Sequence, residues 1–266
     1  MGFFLVMKAE LVRGFIIMRR YWFKTMVGMI MGYGMLVGII MALSSGTVDP
    51  NQYSQFITDK ALGLVIGMFA FGIIGLFTSG LQGMARSGEL EQMYMSPHGL
   101  ITNFLARSCV AAFMSIVTWS IMIAMVAATF DSQIHASPAL TVLLLVLTYL
   151  NLIGFGFMSG GLVLVFKQTG EIAVILRLIL IGLALTITED MYNWPIVLQA
   201  LAHVAPITDA AICLKLVLME GEGTAIFTHP SFYFLMINCG IWTAIGLTLF
   251  KLMENHSRSK GTLGAY

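Results

Sequence analysis

Arg86-Ser87-Gly88-Glu89-Leu90-Glu91-Gln92-Met93-Tyr94-Met95-Ser96-Pro97 is a short polar segment set between two apolar runs, each long enough to cross a bilayer. A loop that merely reconnected two membrane helices would not need to be helical, and this one reads as a helix. Ser87 is a candidate N-cap, Glu89 and Glu91 fall in the first turn, and Pro97 stops the run. Each acidic residue at that end contributes roughly 0.3–1 kcal/mol through the helix dipole. The pattern predicts about two to three turns of stiff helix with an acidic start and a Met/Tyr body. An element of that kind suits the transmission of force to a partner protein.

Composition points the same way over the whole chain. The 266 residues are 58% hydrophobic and 10% charged, with a mean hydropathy of +0.90, against about 25% charged in ordinary soluble domains. This is the composition of an all-α integral membrane protein and excludes a soluble enzyme. The net charge of +1 carries no message by itself. Cys109, Cys213 and Cys239 are far apart in apolar surroundings, which argues against a disulfide framework or a CxxC redox site. Residues 1–7 are apolar with no basic region before them, so a cleavable signal peptide is not expected, and the myristoylation pattern fails.

Apolar runs of about 20 residues fall at 23–44, 61–80, 103–130, 139–166, 172–187 and 232–252. The third and fourth are long enough to tilt, and the fifth is short. The stretch 194–219 tempts a seventh span but contains Pro195, His203, Pro206, Asp209 and Lys215. A carboxylate near a span centre costs roughly 2.5–3.5 kcal/mol on the insertion scale. Charge settles the parity. With six spans and both termini in the cytosol, only Lys60 and Lys215 of the 14 basic residues lie outside, leaving 12 that obey the positive-inside rule. Asp49, Asp59, Asp131, Glu189, Asp190, Asp209, Glu220 and Glu222 collect on the outer side. Residues 194–219 are then expected to form two short helices that dip into the outer leaflet, broken by Pro206, with Asp209 capping the second. Asp209 and Lys215 are expected to keep contact with water there. One domain, 1–266, is expected: an interfacial segment 1–22, a bundle 23–252 and a tail 253–266. In the first of these, Phe4, Met7, Leu11, Phe15, Met18 and Trp22 share one helical face, opposite Glu10, Arg13 and Arg20. That is the pattern of a helix lying in the cytosolic interface.

At two places the chain resembles the permease (transmembrane) subunits of type-2 ATP-binding-cassette (ABC) exporters. Gly88 to Pro97 is similar to their Gly-Thr-Leu-Glu-Gln-(three apolar)-Ser-Pro loop between the second and third spans, with Glu89 in place of Thr. Trp194-Pro195, then Leu198-Gln199 and Pro206-Ile207-Thr208-Asp209-Ala210, is similar to the Leu-Pro, Leu-Gln and Pro-(apolar)-Thr signature before their last span. His203 and Val204-Ala205 depart from the usual apolar-Asn wording. Together with the spacing of the spans, the likeness covers residues 1–252. It implies an N-terminal interfacial helix, a coupling helix seated on an ATPase through Ser87, Glu89, Glu91, Gln92, Tyr94 and Met95, and two re-entrant helices forming an outer gate at Pro195, Pro206 and Asp209. It also implies a substrate path walled by Met29, Met68 and Phe69. The implied assembly is a dimer of this chain, or of it and a close paralogue, with two copies of an ABC ATPase subunit. ATP and Mg would sit on that partner, with no cofactor in this chain. Membrane lipid and a hydrophobic or amphipathic substrate (drug, antibiotic, peptide or lipid) are the other expected partners, and nucleic acid is not. The expected place is a prokaryotic cytoplasmic (inner) membrane. Export of a lipid-linked glycan is the runner-up, and a secondary transporter is the alternative from another class.

The remaining features read as structural. Gly28/Gly32, Gly34/Gly38, Gly63/Gly67 and Gly156/Gly160 are small-xxx-small pairs suited to close helix packing. No P-loop motif is present, and the five histidines share no metal-ligand spacing. No nucleophile–base or paired-carboxylate arrangement is visible, so the chain is not expected to be an enzyme. Arg177, six residues into the fifth span, is expected to snorkel towards the headgroups, with a pathway charge as the alternative. Glu171 enters at the same end, and Glu189 and Asp190 mark an outer rim.

Overall fold

A computed structural model describes residues 2–44, 53–130, 134–135, 137–166 and 170–259, and among these there are helices and no strand. Asp49, Asp131, Lys167, Lys260 and the rest of the tail beyond Ser259 lie outside the described residues.

Among the described residues five helical segments are long and apolar enough to cross a membrane, or six if the bent pair Ile196–Val204 and Thr208–Glu220 counts as one span. The five are α2 (Trp22–Ser44), α3 (Tyr53–Gly75) running through a π turn (Leu76–Gly80) into α4 (Leu81–Arg86), α6 (Gly99–Phe130), α7 (Pro138–Phe166) and α11 (Pro230–Ser259). Each lies within a few residues of an expected span, except that the second starts earlier and ends later and the last runs on to Ser259. The expected tail 253–266 begins as the last turns of α11. Between them come α1 (Gly2–Arg20), α5 (Glu89–Met95), α8 (Gly170–Thr186), α9 (Ile196–Val204) and α10 (Thr208–Lys215), the last continuing as a π turn, Leu216–Glu220. The 17 residues of α8 reach roughly 26 Å at ~1.5 Å per residue, a little short of a ~30 Å hydrocarbon layer. Residues 196–220 do not form one straight helix: α9 and α10 meet at 91°, with Pro206 in the break.

The core forms where small residues let helices close up. Carbons added at Gly63 and Gly67 would strike the backbone of α8 at Ala184 and Ile181, so this pair seats α3 on α8. Gly156 and Gly160 work differently. They leave room on α7 for Phe77, which the π turn of the second span pushes inward. Its ring lies 4.7 Å from that of Phe157 and 5.6 Å from that of Phe104, and Phe157 meets Phe250 at 5.1 Å. Gly154 and Gly246 bring α7 and α11 into backbone contact. By contrast, Gly28, Gly34 and Gly38 on α2 face open space. That helix joins the bundle through a small separate core of Leu36, Ile40, Ile57, Ala61, Leu64, Val65 and Val126.

Helix α1 docks on α6 by a different face from the one its apolar periodicity emphasises. Val6 is buried and Gly14 faces Val110, while Phe4, Leu11, Phe15, Met18 and Trp22 remain exposed. The exposed stripe is therefore free to meet lipid.

Candidate functional site

Helix α5 starts differently from the sequence expectation. Ser87 is not its N-cap. The Ser87 hydroxyl donates to the Met84 carbonyl at 3.2 Å, closing α4, and Gly88 takes the capping position with φ +74°. Only glycine adopts that left-handed backbone without steric cost. At the other end Pro97 holds Ser96 extended (φ −65°, ψ 138°), which terminates the helix. The first turn is tied down by charge. Glu89 accepts from Arg13 of α1 at 3.1 Å and from Arg107 of α6 at 3.2 Å.

The two faces of α5 then separate. Leu90 and Met93 are buried in the main core, so the helix packs on its own chain by one face. Glu91 and Gln92 face out, and Met95 is 88% exposed. The Tyr94 side chain lies outside what is described. Docking by one face leaves a small acidic and apolar surface on the other.

The opposite end of α3 belongs to α9 and α10. Pro195 is exposed and opens α9, and Pro206 is buried in the turn. A break inside a bundle frees carbonyl groups that need donors. Here α11 supplies them: Asn238 donates to the His203 carbonyl at 2.6 Å and the Trp242 indole donates to the Val204 carbonyl at 3.1 Å. Asp209 is not a helix cap and does not reach for water. It is 2% exposed and pairs with the His203 ring at 2.8 Å, and His203 stacks on Phe234 at 3.9 Å.

Lys215 departs from expectation in the same way. Its ammonium lies 2.7 Å from Asp59 and donates to the Ile187 carbonyl at 2.9 Å, while Lys60 pairs with the same carboxylate at 2.8 Å and donates to Leu185 at 3.1 Å. Two lysines thus satisfy carbonyls at the C-terminal end of α8, where a positive charge also complements the dipole. This explains how α8 can stop short inside the bundle. Nearby, burial raises the Tyr192 hydroxyl above its ordinary pKa although it bonds Ser231 at 2.6 Å. His229 meets Glu189 at 2.9 Å.

The three candidate path residues are not brought together. Met29 sits on α2, half-buried, and Met68 is half-buried on α3. Phe69 points into the chain, where it lines an apolar cavity with Leu62, Ile66, Trp119, Leu145 and Leu214. Within a single copy it belongs to that cavity and not to an open wall. Arg177 does not snorkel. It is 5% exposed, bonded to Ala173 and Ser79 and set against the Phe71 ring at 4.5 Å. Sequence reasoning missed Asp59, Asn238 and Trp242. The adjacent Asp59-Lys60 pair at the start of an apolar run was the available signal. Neither a family model nor a curated protein matches this chain.

Proposed function

We propose that this chain is the membrane-spanning subunit of an ATP-driven exporter of the type-2 ABC class, moving a hydrophobic or amphipathic compound out of the cytoplasm or the inner leaflet. The observation that carries the reading is α5. It is a short acidic helix held between two long apolar helices, fixed by Leu90, Met93 and the Arg13–Glu89–Arg107 pairs, with Glu91, Gln92 and Met95 left outward. A connection that had only to rejoin two spans would need neither the anchorage nor the exposed face. In this reading α5 is the coupling helix, Glu89 is its internal anchor, and Glu91, Gln92 and Met95 meet a separate ATPase that binds the nucleotide. The chain supplies α2, α3–α4, α6, α7, α8 and α11 as six spans with both termini cytosolic. Helices α9 and α10 enter from outside, return, and close the passage.

The test is Glu91→Lys in the full chain, co-expressed with a span-free ABC ATPase that the natural chain recovers on purification. A wrong-sign charge at an interface costs several kcal/mol. Recovery of the ATPase with the tagged permease should fall, or ATP hydrolysis should lose its dependence on the permease. Unchanged recovery and unchanged hydrolysis would make α5 an ordinary surface helix.

A further inference from the structure

Arg177 lies about 10 Å along α8 from its first residue, a depth inside the apolar layer when α8 is taken as the fifth span. A charge at that depth is expensive and defaults to a functional role. The other inward cations of the bundle are neutralised within the chain: Lys60 and Lys215 by Asp59, Arg107 by Glu89. Arg177 is not. Its Nε donates to the Ala173 carbonyl and its Nη2 to the Ser79 hydroxyl, both at 3.1 Å. Among the described residues no carboxylate lies within 4 Å of it, and its three other N–H groups have no acceptor. The planar fork that remains is the donor set that matches a carboxylate or phosphate in two parallel hydrogen bonds.

The surroundings keep that fork reachable. Met68, Gly72, Gly75 and Ser79 follow at spacings of four, three and four along one side of the second span, and none of them is fully buried. Gly72 meets nothing within 4 Å where a side chain would start. At Gly75 an added carbon would lie 2.8 Å from Arg177 Nη1, so the absent side chain is what lets the guanidinium lie against α3. The π turn Leu76–Gly80 interrupts the helix at this point and turns Ser79 towards it, a distortion frequent at functional sites. The Phe71 ring covers one side and Met68 stands about one to two turns further along, both suited to hydrocarbon.

We infer that Arg177 and Ser79 form a headgroup site for an anionic amphiphile, a carboxylate or phosphate joined to an apolar tail that runs along the Gly72–Met68 side of α3. The inference names a substrate class for the exporter reading and rests on it for the direction of movement, but binding itself needs neither the ATPase nor nucleotide. The experiment uses the full chain in neutral maltoside detergent and follows the fluorescence anisotropy of dansylaminoundecanoic acid, compared with its methyl ester. The acid should bind at least about ten-fold more tightly than the ester, and Arg177→Met should remove that preference, so that acid and ester bind alike. Should the variant fail to fold, phenylglyoxal labelling mapped by mass spectrometry on the natural chain gives the same answer, because the acid and not the ester should protect Arg177. Equal binding of acid and ester, or no protection of Arg177, would overturn the site. Excess phosphatidylglycerol, with phosphatidylcholine as control, separates the two sources of such an anion. Displacement of the acid by the anionic lipid alone assigns the site to a membrane phospholipid, and retention assigns it to another amphiphile, both with the site intact. Loss of ATPase recovery in the Glu91→Lys test would not alter these readings, nor would their failure alter that test.

Discussion

The Asp59 carboxylate holds two ammonium groups at once, Lys60 at 2.8 Å and Lys215 at 2.7 Å, and both lysines also cap the end of α8. This arrangement ranks the consequences of removing each partner. Breaking a buried pair costs about 3–5 kcal/mol because the surviving charge is left without compensation. Asp59→Asn strands two cations, whereas Lys215→Met leaves Asp59 still paired with Lys60. Thermal unfolding in neutral detergent should therefore show Asp59→Asn as the more destabilising change, by about 3–5 kcal/mol, and Lys215→Met as the milder one, about 1–3 kcal/mol. The double variant should lose less than the sum of the two. A Lys215→Met loss equal to that of Asp59→Asn would show that Lys60 does not share the carboxylate. Asn238 makes a simpler case. Its replacement by Leu leaves the His203 carbonyl without its donor, at roughly 0.5–1.5 kcal/mol for a part-buried hydrogen bond, and the same unfolding assay should register it.

Helix α5 keeps its shape through Gly88 and its place through Leu90. Alanine at Gly88 must adopt φ +74°, which costs roughly 1–2 kcal/mol for a residue with a Cβ. Leu90→Ala empties a fully buried site, at about 2–5 kcal/mol. Both changes should raise amide exchange across 86–97 while leaving α7 and α11 protected, and unaltered exchange in Leu90→Ala would mean that this side chain does not hold the helix down. Much of this element was legible: the acidic first turn and Pro97 placed it correctly. The capping residue was not, because the αL turn at Gly88 depends on how α4 ends, with Ser87 drawn back to Met84. The same split appears at α9 and α10. Pro195 and Pro206 announce a break. The groups that make the break tolerable, Asn238 and Trp242, lie 35 and 38 residues away in sequence, and no local pattern connects them. Asp209 and Lys215 were read as needing water because their partners, His203 across a turn and Asp59 on another helix, become neighbours only after packing. Arg177 was read as snorkelling for a related reason: the flexible stem permits it, and the glycine at position 75 that favours the inward position shows its effect only once α3 and α8 are side by side.

For the whole molecule, the exporter reading takes its orientation from the sided distribution of charge and the bend at Pro206. Arg13, Arg107 and Glu89 meet at the end of the bundle that carries α1 and α5, and Asp59, Glu189, Glu220 and Glu222 collect where α8, α10 and α11 turn. If 196–220 crossed the membrane as one helix, the basic end of α11 would move to the acidic side. The 91° bend excludes one straight helix and leaves a broken span or a re-entrant pair: α9 offers nine residues and α10 with its π turn 13, roughly 13 and 20 Å of helix pointing in different directions. The expectation is that the α5 end faces the cytosol and the loop after α10 faces out. Single cysteines test it in a background where Cys109, Cys213 and Cys239 are replaced by Ala. Gln92 and Thr224 are suitable reporters, both exposed, whereas Gly221 is unsuitable because its φ of +71° and the His135 ring leave no room for a side chain. On intact cells a membrane-impermeant maleimide should label position 224 and spare position 92, and permeabilised cells should show both. Labelling of 92 but not 224 would invert the topology, remove α5 from the reach of any cytosolic ATPase, and end the exporter reading.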